Sequence, residues 1–181
     1  RNVFLASGPT PTATATLTLT NTATNTPTAT ATATNTPTAT PTCANHWSEQ
    51  AHPQASDGAA FDRFGQSLAI SGDTMIVGAP LEDNANGSDA GSAYIFVRSG
   101  TVWTQQQKLT ASDGAAGDGL GTFVSIDGDS VVVGAATDDT SGGADAGSAY
   151  VFTRSGTVWS EQQKLTASDG AANDRFGVGI S

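Results

Sequence analysis

AGSAYIFVRSGTVW at Ala90–Trp103 and AGSAYVFTRSGTVW at Ala146–Trp159 are the stretches that decide the fold. Each places aromatic and β-branched residues on both sides of a Ser-Gly-Thr turn. That is the pattern of a tight hairpin, with strands over Ser92–Arg98 and Val102–Lys108 flanking Ser99-Gly100-Thr101. Upstream, Ser67–Ile70 and Thr74–Ala79 flank the turn Ser71-Gly72-Asp73 in the same way. The corresponding segments further along are Phe123–Ile126, Ser130–Ala135, Ser148–Arg154 and Val158–Lys164. Helical periodicity is absent, and the sequence predicts an all-β fold.

The tryptophans set the period. Trp47, Trp103 and Trp159 stand 56 residues apart, and residues 47–102 match residues 103–158 at 30 of 56 positions without a gap. A third copy runs over residues 159–181. Four short antiparallel strands in each unit of a fixed period are the content of one propeller blade. The expected architecture is therefore tandem four-stranded antiparallel propeller-type blades, two complete plus a partial third. The reading divides the chain into a short apolar segment 1–8, a low-complexity stalk 9–46, repeats 47–102 and 103–158, and the partial repeat 159–181.

The stalk has a different chemistry. Every second residue is threonine: Thr10, Thr12, Thr14, Thr16, Thr18, Thr20, Thr22, Thr24, Thr26, Thr28, Thr30, Thr32, Thr34, Thr36, Thr38, Thr40 and Thr42. Alanine, proline, asparagine and leucine fill the odd positions. Stiff β-branched side chains and interspersed prolines oppose a helix, and two leucines cannot make a core, so an extended chain is expected. In a flat strand the period of two places all seventeen hydroxyls on one side; in polyproline II they spiral around the chain. Small neighbours leave each hydroxyl open, and the composition reads as an O-glycosylated stalk, with an unmodified flexible linker as the plainer reading.

The formal charge is −10, and all 17 acidic residues lie at or beyond Glu49. Seven scattered basic residues make no stripe for a phosphate backbone, which argues against nucleic acid as a partner. No apolar run approaches the ~18 residues of a membrane span. Cys43 is the only cysteine, so an intrachain disulfide is excluded; an interchain bridge or a free thiol remain.

Against this background the motifs Phe64-Gly65…Gly78-Ala79-Pro80 and Phe176-Gly177 resemble the FG-GAP repeat. That repeat is the blade unit of integrin α-subunit propellers and of many bacterial surface proteins. Leu120-Gly121 and Gly134-Ala135-Ala136 are a degenerate middle copy. The resemblance covers residues 47–181 and implies propeller blades of an extracellular or cell-surface protein, with a bacterial origin. Many family members place a D-x-D-x-D-G calcium loop between the two motifs. Here that span is only Ile70–Thr74 in one copy and Ile126–Ser130 in the next, too few oxygens for a cation that takes six to eight.

Other residues invite chemistry. The loops Glu82–Asp89 and Asp138–Asp145 offer Asp83, Asp89, Asp139 and Asp145 as weak candidates for Ca²⁺, with a solvated acidic loop as the alternative. Asn86-Gly87-Ser88 is an N-glycosylation sequon. ASDGAAxD occurs three times, bringing Asp57/Asp62, Asp113/Asp118 and Asp169/Asp174; a pair repeated in every unit suits a turn better than catalysis. By the same argument Trp47, Trp103, Trp159, Tyr94, Tyr150, Phe64, Gly65, Phe176 and Gly177 are structural. His46 and His52 lack a neighbouring nucleophile, and no phosphate loop or metal spacing is present, so no enzyme activity and no required cofactor are expected.

A closed propeller takes roughly four to eight blades. A last strand at Val178–Ser181 is expected to leave an open edge, which recruits other strands. Further chain or further copies of the protein are the expected partners, with Asn2–Ala6 as a candidate donor strand. The sequence thus points to a structural or adhesive surface protein with a glycosylated stalk. The alternatives are a module binding calcium, carbohydrate or protein within a larger secreted protein, and an accessory region of a larger enzyme.

Overall fold

The computed structural model describes residues 49–180. The threonine-alternating stalk, the stretch Asn2–Ala6, Cys43, His46 and Trp47 lie outside the described residues. Eight strands follow one another: β1 (Ser67–Ser71), β2 (Thr74–Ala79), β3 (Ser92–Ser99), β4 (Val102–Leu109), β5 (Leu120–Asp127), β6 (Ser130–Ala135), β7 (Ser148–Ser155) and β8 (Val158–Leu165). They form two four-stranded sheets, ordered β1-β2-β3-β4 and β5-β6-β7-β8, with every neighbouring pair antiparallel. Each sheet is one blade. Trp103 and Trp159, which open the second and third sequence units, lie inside β4 and β8, the outer strands of the preceding blades, so residues 159–165 complete the second sheet.

Turn chemistry explains the short connections. Ser71 pairs with Thr74 and Ser99 with Val102, leaving two residues per turn, and the first of them is glycine. Gly72 and Gly100 adopt φ of +58° and +62°, the left-handed backbone that a two-residue hairpin with glycine first requires. The second blade repeats the device at Gly128 and Gly156.

The middle strands carry the burial. All six residues of β2 are buried, as expected for a strand covered on both faces. Alternation sorts its side chains. Met75 and Val77 join Tyr94 and Phe96 on one face, covered by Ala55, Phe64 and Trp103. Ile76 joins Ile95 and Leu109 on the other face, where they meet Leu120, Val124, Val131, Val133 and Trp159 of the second blade. The main core therefore lies between the blades. A bulge in β4 leaves Gln106 unpaired between Gln105 and Gln107, and a matching one occurs in β8.

Both outer faces of the blade pair remain apolar. Leu68 and Ile70 of β1 are exposed, whereas their counterparts Val124 and Ile126 of β5 pack into the core. Val132, Val151 and Leu165, the counterparts of Ile76, Ile95 and Leu109, are only partly buried.

The sequence expectation of a strand at Val178–Ser181 is corrected. Residues 178–180 form no strand, and Ser181 lies outside the described residues. In the two complete blades the corresponding segment is held by a hairpin partner, β2 or β6; here that partner would fall beyond residue 181. Only the bridge between Gly147 and Phe176 forms.

The asymmetry of the two faces gives a stability test. Ile95→Ala, at a fully buried position, should cost about 3 kcal/mol, and Val151→Ala about 1 kcal/mol or less, read by urea denaturation. Equal losses would mean that Val151 is as well covered as Ile95.

Candidate functional site

The blades meet backbone to backbone. Gly117 N–H donates to Ser88 O at 2.9 Å, Gly119 N–H to Asp89 O at 3.2 Å and Leu120 N–H to Ala90 O at 3.0 Å. Gly91 and Leu120 thereby form a parallel bridge between blades. A methyl group on Gly78 would strike Gly121 O, and one on Gly91 would strike the backbone of Leu120. Ser67 Oγ closes the joint by donating to Gly121 O at 2.8 Å. Leu120, wholly buried, fills in the second unit the place of Phe64 in the first.

The same joint recurs one period later. Asn173, Arg175 and Phe176 donate to Ala144, Asp145 and Ala146 at 2.9, 3.1 and 2.8 Å. A methyl on Gly134 would strike Gly177 O. Phe176 and Gly177, singled out from sequence, thus sit against the outer face of the second blade. Phe64 packs edge-on against Tyr94 and Phe96, with centroids 5.6 and 6.0 Å away, and Gly65 N–H donates to Gly78 O at 3.0 Å.

Tryptophan and arginine reinforce the outer rim. The Arg154 guanidinium lies over the Trp159 ring at 5.2 Å and binds Asp129 of the β5–β6 turn. It also donates to Thr74 Oγ1 of the first blade at 3.1 Å. Trp159 is 2% exposed; its Nε1 donates to the bulged Gln106, and its backbone exchanges two bonds with the Gln107 side chain. Trp103 stacks under Arg98 in the same manner. Its buried Nε1 has no partner among the described residues, although Gln50 stands at the position of Gln106. Ala51 stands at that of Gln107, so the two backbone bonds of Trp159 are not repeated by that side chain.

Each blade also holds a polar cluster. Lys108 of β4 binds Asp57 at 2.7 Å and the buried Glu82 at 2.5 Å, and lies over the Tyr94 ring. Tyr94 OH donates to Asp57 at 2.9 Å. In the second blade Lys164 binds Asp113 at 2.8 Å and Asp138 at 2.7 Å, and Tyr150 OH donates to both carboxylates. The cluster fastens the segment leading into each blade to that blade's outer hairpin. The Lys108 hydrogen bond holds Asp57 below its ordinary carboxylate range. Burial opposes the same shift at Asp113, where Lys164 and Tyr150 bonds prevail. Burial and the neighbouring carboxylates push both tyrosines up, whereas both lysines rise because their carboxylate partners outweigh burial.

The two aspartates of ASDGAAxD divide the work. Asp62, Asp118 and Asp174 each accept the backbone N–H three residues back, from Ala59, Ala115 and Ala171, at 2.6, 2.6 and 2.7 Å. Asp57 and Asp113 leave the turn and join the lysine clusters. In the acidic loops Asp83 accepts the N–H of Asp89, and Asp139 that of Asp145, both at 2.9 Å. Among the described residues no group of three or more His, Cys, Asp or Glu is placed to hold a metal ion. The sequon side chain is engaged: Asn86 Nδ2 donates to Ala111 O at 2.8 Å, tying the first blade's loop to the segment leading into the second.

The FG-GAP repeat family model matches residues 47–96, 103–152 and 159–181, more than half of the chain. The chain belongs to the FG-GAP repeat family. No curated protein matches it. In this FG-GAP protein the two motif glycines are partners: the glycine of GA in one blade receives the glycine of FG, or its Leu-Gly variant, from the next. The lysine–tyrosine–carboxylate cluster is the feature that sequence reading missed. Its signal was the recurrence of Asp57, Tyr94 and Lys108 at one full period.

Gly78→Ala should lower stability by about 3 kcal/mol, because the added methyl meets backbone that cannot retreat. Gly58→Ala, whose Cβ would lie 3.3 Å from Ala55 Cβ, is the control and should cost much less. Similar losses in urea would contradict a close joint at Gly78.

The clusters set a pH window. The lowered carboxylates stabilise the fold above their ordinary value of 3.8, and this contribution is lost as pH falls through their folded values. The raised tyrosines and lysines stabilise it below 10.0 and 10.5, and their contribution is lost as pH rises through their folded values. Tm should be level between about pH 5 and 9 and fall on both sides. Tyr94→Phe/Tyr150→Phe should weaken the alkaline fall, read by differential scanning calorimetry.

Proposed function

We propose that this chain is a structural or adhesive extracellular surface protein, in which a glycosylated threonine stalk carries blades that continue by packing on further blades of the same kind. The observation that supports this reading is the pair of apolar faces left open on either side of one complete joint. Leu68 and Ile70 occupy positions that the next blade buries, and Val132, Val151 and Leu165 occupy positions that the first blade buries. Such faces mark interaction surfaces. The FG-GAP repeat family is typically non-enzymatic and extracellular, and we extend both properties to this chain. No helix among the described residues is long and apolar enough to cross a membrane.

Assembly would be head to tail, since the two faces differ, giving a ring or a filament. Asn2–Ala6 is a candidate donor strand within it. A second reading, a ligand-binding module, draws on a recess of about 290 Å³ bordered by Asp57, Asp62, Glu82, Asp83 and Asp89. Its candidate ligand is carbohydrate or protein, since the carboxylates there are not grouped to hold a metal ion, and a calorimetric titration against a glycan panel without heat would count against it.

Sedimentation velocity should show the wild-type chain associating as concentration rises, and Leu68→Asp/Ile70→Asp remaining monomeric. A wild-type chain that stays monomeric at every concentration would overturn the assembly. Peptides spanning Thr10–Thr42 from material of the native source should carry glycan mass beyond their sequence mass, read by mass spectrometry. Peptides over Thr10–Thr42 found only at their unmodified mass would overturn glycosylation.

A further inference from the structure

The two blades differ at one place in their acidic loops, where the second lacks a group that the first supplies. In the first blade Asn84 Nδ2 donates to Gly91 O at 2.8 Å, to Glu82 Oε2 at 3.2 Å and to Ser92 Oγ at 3.3 Å. Ser92 Oγ in turn donates to Glu82 Oε2 at 2.6 Å. Asn84 Oδ1 has a separate duty, accepting Asn86 N–H at 2.8 Å to shape the loop.

In the second blade Thr140 stands in place of Asn84, and Asp138 in place of Glu82. Thr140 Oγ1 takes over the loop-shaping duty, accepting Gly142 N–H at 3.1 Å. The remaining branch of threonine is a methyl, which donates nothing. Asp138 is one methylene shorter, and Tyr150 and Lys164 both reach its Oδ2. Ser148 is fully buried, and its Oγ has no partner among the described residues. A buried hydroxyl left in that condition is costly, so its partner is to be sought.

We propose that the second blade binds a single water molecule at the place filled in the first by the Asn84 amide group. The water donates to Gly147 O and to the Asp138 carboxylate and accepts from Ser148 Oγ. Three partners are what a buried water typically has. An amide NH₂ and a water are similar in size, so the exchange preserves the packing around β7. A monovalent cation would also suit three oxygens, but Lys164 Nζ lies 2.7 Å from Asp138 Oδ2 and already supplies the positive charge. A neutral ligand that can both donate and accept fits this set.

A high-resolution crystal structure of the full chain tests the proposal. A density peak is expected about 2.7–3.0 Å from Gly147 O, Ser148 Oγ and the Asp138 carboxylate, and it should vanish in Thr140→Asn, whose amide displaces it. Ser148→Ala gives an independent reading in solution: losing one of the water's partners should lower Tm by about 2–4 °C. No peak in the wild-type structure, or a Tm that is unchanged or raised in Ser148→Ala, overturns the proposal. So does a peak that changes height when sodium is exchanged for potassium.

Discussion

The structure depends on how closely one blade can approach the next. Two strands of backbone meet at Gly78, Gly91 and Gly121 with no room for a side chain on either side. That approach brings the amides of Gly117, Gly119 and Leu120 onto the carbonyls of Ser88, Asp89 and Ala90. It also presses the face bearing Ile76 and Ile95 onto Val124 and Val131, which makes the core. A β-sheet with apolar residues on both faces is not stable alone, and the joint is what supplies its cover. Around it the Trp159–Gln107, Arg154–Thr74 and Asn86–Ala111 bonds span the blades and fix their rotation about the joint.

A second layer of interactions works within each blade. Lys108 and Lys164 gather carboxylates from the leading segment and from the acidic loop, and Tyr94 and Tyr150 donate to the same groups. Every partner lies within one blade and its leading segment, so each blade carries its own fastening, although its lysine belongs to the next sequence repeat. This division suits a modular chain: apolar faces and glycines join the repeats, and charged clusters complete each one.

Much of this was legible in the sequence, and the reasons differ by feature. The strands showed because β-formers cluster around glycine turns, and the repeat showed because Trp47, Trp103 and Trp159 keep one spacing. The motif glycines were recognisable by resemblance, but their pairing is a contact between repeats, which no local pattern records. The Lys108–Asp57 contact spans 51 residues and was hidden for the same reason, so both ASDGAAxD aspartates read as turn residues when only Asp62 is one. The strand expected at Val178–Ser181 failed because a strand is made by its partner as much as by its own residues. The Asn86 sequon was visible as a motif, but its engagement with Ala111 is a property of the fold.

Native-state hydrogen exchange of the backbone amides tests the joint most directly. The amides of Gly117, Gly119 and Leu120 should exchange only through global unfolding, because the joint opens only when the core does. The amides of Phe61, Arg63 and Phe64, at the same positions of the first unit, have no backbone acceptor among the described residues and should exchange fast. Exchange of the Gly117–Leu120 amides as fast as that of the Phe61–Phe64 set would contradict the account.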